Sequence, residues 1–196
     1  MTHEEQRMTN NEELQLIRRI ARGGHTQLYR HLANRYASQV LTMVRRLVPS
    51  QEEAEEVTQD VMVEAFKSLA RYDERRSSFS TWLMSIAYHT ALKHSRTKRQ
   101  QLPLVEVEQD WLDGVADDDA DAVLDDTDRV TLMEQAIGQL KPEDQMLLHL
   151  YYYDNRPIRD IALITAHEES YLHSRLQWIR KKLAAIILNL ESNEQQ

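Results

Sequence analysis

Turn-forming residues are what this chain most lacks: four glycines and four prolines in 196 residues. An all-β fold needs such residues at hairpin after hairpin, so their scarcity predicts an all-α protein. Hydrophobic periodicity agrees. After ten polar residues, read as loose, Leu14, Ile17, Ile20 and Ala21 form an apolar stripe that Gly23-Gly24 should stop. Leu28, Leu32, Tyr36, Val40, Met43 and Leu47 then recur every three or four residues until Pro49. Ser50 and Glu53 have the spacing of a capping box, and Ala54, Val57, Val61, Ala65 and Leu69 share one face of the helix it opens. Glu56, Gln59, Asp60, Val63 and Lys67 lie on another. Beyond a loop at Arg71–Ser78, Ser80 reads as the N-cap of a helix with Leu83, Ile86, Ala87 and Ala91 facing inward. Ser85, His89, Lys93 and Arg96 face the other way.

The C-terminal part repeats the pattern with shorter helices. Val130, Met133, Ala136, Ile137 and Leu140 mark one, and Pro142 suits the first position of the next, which carries Met146, Leu147 and Leu150. Pro157 opens a short helix with Ile158, Ile161 and Ala162. A turn near Ala166-His167 separates it from a long helix striped by Leu172, Leu176, Ile179, Leu183, Ile187 and Leu190. Short helix, brief turn and longer helix with a polar outer face form a helix-turn-helix pattern.

Charge divides the chain more sharply than hydropathy does. The net charge of −8 averages three segments: residues 1–103 at +4, residues 104–128 at −11 with no basic side chain, and residues 129–196 at −1. This predicts two small helical domains, 1–103 and 129–196, joined by a flexible acidic linker over 104–128. With no cysteine in the sequence there are no disulfides or thiolate metal sites. No apolar run reaches membrane-spanning length and no signal-peptide core is visible, so the expected location is the cytoplasm, without membrane insertion.

The chemistry concentrates in Ser77–Arg99, where Phe79, Ser80, Thr81 and Trp82 precede a helical body ending in Lys93, His94, Arg96, Lys98 and Arg99. Aromatic faces beside cations suit unpaired bases threaded along a phosphate backbone. Three stretches, taken in series, resemble bacterial sigma factors of the small, extracytoplasmic-function class. AEEVTQDVMVEAFKSL (Ala54–Leu69) is similar to that family's core-polymerase-binding helix. FSTWLMSIAYHTALKHSR (Phe79–Arg96) is similar to its promoter-melting, minus-ten-reading segment. RDIALITAHEESYLHSRLQWIRKKL (Arg159–Leu183) resembles its minus-thirty-five-reading helix-turn-helix.

The resemblance implies a sigma domain 2 bundle and a sigma domain 4 helix-turn-helix, with core RNA polymerase, promoter DNA and an anti-sigma factor as partners. It implies Glu56, Val57, Gln59, Asp60 and Val63 at the polymerase. Phe79, Ser80, Thr81, Trp82, Tyr88, His89, Lys93, Arg96, Lys98 and Arg99 would lie on the minus-ten strand or its flanking duplex, with Trp82 open between core packing and base stacking. Ser170, Tyr171, His173, Ser174, Arg175, Gln177, Trp178, Arg180 and Lys181 would face the upstream duplex, Gln177 suiting an adenine edge and Arg175 a guanine or phosphate. In this family the connector passes through the transcript's channel; the acidic linker fits an RNA mimic and a plain solubilising tether equally. The chain departs from the family at Ala166, where a turn glycine is usual, leaving open a looser turn. It departs also at His167, His173 and Trp178.

No catalytic residue, cofactor or metal is expected, since neither a phosphate-binding Gly-rich loop nor a His-Glu-x-x-His or Glu-x-x-His spacing occurs. A metal-dependent bundle enzyme is therefore the weak reading. The stronger rival is a helix-turn-helix regulator that binds duplex DNA without joining polymerase, and it leaves the aromatic-basic stretch without a purpose.

Overall fold

The computed structural model describes residues 10–23, 26–100 and 126–194. Every regular element among them is helical, and they divide into two units, one of residues up to Thr97 together with Leu163–Thr165 and one of the remaining later residues. The expected linker falls outside the described residues except for its last three, which already belong to a helix. The loose first residues and the domain end at Leu102-Pro103 also lie outside.

The first unit contains α1 (Asn10–Gly23), α2 (Thr26–Leu47), α3 (Gln51–Ser68) and α4 (Phe79–Gln100), with a 3-10 turn at Leu69–Arg71. Helix α2 packs along α3, and α1 lies against α2 and the 3-10 turn. The α2 stripe buries Leu32, Tyr36, Val40, Met43 and Leu47 as expected, together with Tyr29 and Val44. Ser50 caps α3, its hydroxyl accepting from the Glu53 backbone N–H at 3.5 Å. On α1 the expectation needs correction. Ala21 is exposed, and the buried face is Ile17 and Ile20 with the carboxylate of Glu13. The cap of α4 is also displaced: Ser78, not Ser80, accepts from the Thr81 N–H at 3.1 Å, and its carbonyl accepts from Trp82 N–H at 3.0 Å.

The second unit contains α5 (Asp126–Gly138), α6 (Pro142–Leu148), α7 (Ile158–Thr165) and α8 (Glu169–Glu194). Helix α6 starts at Pro142 as expected and runs into a wide π turn, His149–Tyr153. Helix α8 packs on α5 and α6, burying Leu172, Leu176, Ile179 and Leu183. The expected α5 face is rotated: Leu132, Ala136 and Leu140 are buried, while Val130 and Met133 are exposed. Ala166 ends α7 in the left-handed region, φ 56° and ψ 35°. The turn thus keeps a glycine-type geometry with an alanine, at a conformational cost of about 1–2 kcal/mol.

Candidate polymerase and nucleic-acid interfaces

On α3 the apolar stripe turned inward fixes which side chains a partner can reach. Glu56, Gln59, Asp60 and Val63 are exposed. Val63 is half exposed although apolar, with Gln59, Asp60, Glu64 and Lys67 around it on the helix surface. An apolar centre in a polar ring is the anatomy of a docking hot spot. Val57, expected beside them at the polymerase, belongs instead to the buried stripe at 2% exposure and packs inward in the free chain. Near the start of α3, Glu53 Oε2 lies 3.2 Å from His94 Nε2, tying this helix to α4.

The aromatic entry to α4 is a frame rather than an open platform. Phe79 is 3% exposed and meets Tyr36, Tyr72 and Trp82 at ring separations of 5.3, 5.5 and 5.5 Å, while Tyr72 and Trp82 are 5.4 Å apart. Off-parallel contacts of this size favour the pairs beyond their burial alone. Thr81 is buried, its hydroxyl 2.9 Å from Ser78 Oγ, and Tyr88 is buried as well. The expected strand contacts at Phe79, Thr81 and Tyr88 thus fall on side chains that are packed inward in the free chain. Trp82 is half-buried, packed in the frame yet reachable. Ser80 is also partly accessible, and His89, Lys93 and Arg96 are exposed along α4. Lys98 and Arg99 lie on the α4 backbone, but their side chains fall outside the described residues.

The 72–78 loop beside this frame is fastened at its base. Tyr72 donates its phenol O–H to the Ser77 carbonyl at 3.1 Å. Arg75 donates to Asp73 through Nε and Nη2, both at 2.9 Å, and through its backbone N–H at 3.1 Å. The side-chain bonds first, and then the backbone bond, pull the Asp73 pKa down to about 2. Burial, chiefly, pushes the Tyr72 phenol up to about 12.

In the second unit one face of α8 presents Ser170, His173, Ser174, Gln177 and Lys181, all exposed. Tyr171 is exposed too and stacks on His167 at 4.8 Å. His173 lines a groove of about 460 Å3 with Tyr151, Tyr152, Asn155, Arg156, Pro157 and Ile158. Arg175 departs from the expectation. Its Nε and Nη2 donate to the two carboxylate oxygens of buried Asp144, each at 2.8 Å, and its guanidinium lies 4.0 Å over the Trp178 ring. Burial alone would lower the Arg175 pKa; the hydrogen bonds and charge of Asp144 outweigh it and the net shift is upward. Arg175 and Trp178 are thus fixed in a bracket, with Lys182 5.0 Å from the same ring, and in the free chain Arg175 is engaged within the protein rather than open to a guanine or phosphate. Arg180 donates from Nε to Tyr152 Oη at 2.7 Å while remaining exposed. Asp144 and Tyr152 were not singled out from the sequence; an acidic residue in a helix's first turn carries no mark of a partner 31 residues away.

Among the described residues, one unit thus presents an aromatic-basic helix and the other a helix-turn-helix arrangement, and both features recur in the proteins this chain is similar to. Residues 32–101 match the family description Sigma-70 region 2. The RNA polymerase sigma-H factor of Pseudomonas aeruginosa is 25% identical over 176 residues, covering 86% of this chain and 90% of that protein. The ECF RNA polymerase sigma factor BldN of Streptomyces coelicolor is 21% identical over 156 residues, covering 80% of this chain and 58% of that one. In fold the chain is similar to the sigma factor RpoE of Bartonella quintana, solved with the anti-sigma factor NepR: the TM-score is 0.57 at 14% identity, covering 81% of this chain and 96% of that one. Over residues 32–101 the chain thus carries a sigma-70 region 2, and along most of its length it is similar to bacterial sigma factors.

Proposed function

We propose that this chain binds core RNA polymerase through the exposed α3 face, captures unpaired promoter DNA along α4, and anchors upstream duplex with α8. It is a sigma factor directing transcription initiation and does no covalent chemistry. The observation that carries this assignment of surfaces is the layering of α4. Its aromatic residues brace the 72–78 loop from within, while Ser85, His89, Lys93 and Arg96 continue as a polar, partly cationic strip along the same helix. Cations at helical spacing track a phosphate backbone, and the accessible edge of Trp82 beside them offers a stacking surface. One captured base contributes about 1–3 kcal/mol by stacking, so a few offset local unpairing without nucleotide hydrolysis.

For the upstream anchor, Ser170, His173, Ser174 and Gln177 face outward from a helix locked by Arg175–Asp144, which leaves Gln177 as the side chain suited to an adenine edge. Domain boundaries at 103 and 129 and a cytoplasmic location beside the polymerase go with this reading. Among the described residues no helix is long and apolar enough to cross a membrane. An anti-sigma factor that covers these surfaces is the natural regulator, as NepR is found bound to RpoE. In vitro transcription with purified core polymerase on a genomic fragment library tests the function and finds promoters together. On a promoter so found, Gln177→Ala should change upstream preference; unchanged promoter choice would remove that contact. A protein that bound duplex DNA yet never co-eluted with core polymerase would favour the helix-turn-helix regulator instead.

A further inference from the structure

Helix α1 lies wholly ahead of residues 32–101, and the function proposed above gives it no part. It is nevertheless tied to the 72–78 loop by two routes. Arg18 on α1 donates from Nη2 to Glu74 in the loop. Glu13, also on α1, accepts the Tyr36 phenol O–H at 2.8 Å, with Arg35 Nε 3.6 Å from the same oxygen. The Tyr36 ring then meets Phe79, which in turn holds Tyr72 and Trp82.

Neither tie is explained by stability. The Arg18 and Glu74 side chains are 58% and 34% exposed, and an ion pair so open to water adds about 0–1 kcal/mol at most. Glu13 is 9% exposed on a helix face that an apolar side chain would fill with less desolvation penalty. What the carboxylate does supply is direction, since a hydrogen bond at the phenol end fixes how the Tyr36 ring presents to Phe79. Beside the Arg18–Glu74 tie an open cavity of about 220 Å3 lies between α1 and the loop, lined by Ile17, Leu69, Tyr72 and Asp73 among others. Helix α1 packs on the 3-10 turn at the foot of the loop, so over residues 73–75 the ion pair bridges space that close packing does not fill.

We infer that α1 is the positioning element of the loop that leads into α4, with Arg18–Glu74 and Glu13–Tyr36–Phe79 holding residues 72–78, and through Phe79 the head of α4 with Trp82, in the arrangement that receives unpaired DNA. A loop ordered before the strand arrives loses less entropy on capture, so the ties act on binding of the opened strand rather than on the fold. The inference rests on the proposed role of α4.

A charge exchange across the exposed tie tests it. Full-length wild type, Arg18→Glu, Glu74→Arg and the double variant are each assembled with core polymerase on one promoter from the library, supplied as duplex and with a mismatched downstream bubble. Each single reversal should lower open-complex occupancy on both templates by about fivefold, the size of a 1 kcal/mol coupling, and the double exchange should restore it to within about twofold. Core association and melting temperature should stay at the wild-type values in all four. Single variants equal to wild type, a double variant no better than the singles, or an occupancy loss matched by a falling melting temperature would each overturn the inference. If wild type itself captured no strand on the bubble, the reading of α4 would fail and the role of α1 with it.

Discussion

Asp144 is 4% exposed and holds both donors of one edge of Arg175, an arrangement with a definite energetic signature. In Asp144→Ala the guanidinium keeps its charge and its place over Trp178 but has lost its counter-ion. Removing one partner of a fully buried pair costs about 3–5 kcal/mol. The Arg175 side chain is 28% exposed, so water reaches part of it, and about 2–3 kcal/mol is the better expectation. Because α8 packs on α6 next to this pair, the loss should appear in the second unit. Urea titration of the full chain, followed by amide exchange along α6 and α8 and separately along α2 and α3, resolves it. A second arm replaces both partners, Asp144→Leu with Arg175→Met. This variant should regain most of the lost stability, because no ion is then left without its mate. An Asp144→Ala protein within about 0.5 kcal/mol of wild type, or a double variant as unstable as the single losses added together, would refute the reasoning.

Three further outcomes follow from the same kind of argument. Ala166→Gly should stabilise the chain by about 0.5–1 kcal/mol, since relief of the left-handed alanine exceeds the extra freedom glycine gives the unfolded chain; thermal denaturation reads it directly. Tyr29 and Tyr72, both raised to about 12 mainly by burial, and Tyr36, raised by burial and then by its bond to Glu13, stay protonated in the folded chain after the unfolded phenols ionise near pH 10. Their contribution is thus complete below about pH 10 and lost as pH rises from there towards 12, which stability measured against pH should show. Val63→Asp should weaken association with core polymerase by more than about tenfold while leaving melting unchanged, because the position is open to water; a co-elution titration checks both.

How far the sequence could be read depended on how many partners each helix has. The α2 stripe from Leu32 to Leu47 was legible because polar residues separate its apolar positions cleanly. Helix α5 was not, since Val130, Leu132, Met133, Ala136, Ile137 and Leu140 support two overlapping stripes. Contact with α8, rather than periodicity, selects Leu132 and Ala136. The cap of α4 was misplaced by two residues because Ser77, Ser78 and Ser80 have equal capping propensity, and only the Tyr72–Ser77 hydrogen bond shows which one the loop delivers. Among the site residues, helical spacing found the open face of α8, but could not show that Arg175 is engaged by a carboxylate on another helix. Nor could it separate Phe79, held among three other rings, from the accessible residues next to it, since an aromatic at the head of a helix suits either role.

The enclosure of Phe79 bears on how such a chain can change. Its ring frame spans α2, the loop base and the start of α4, whereas Arg75 and Arg76 are exposed on the loop. Mutational drift at those two arginines can therefore change the charge beside α4 while the scaffold beneath goes untouched. A library randomised only at Arg75 and Arg76 would yield folded descendants far more often than one randomised at the rings.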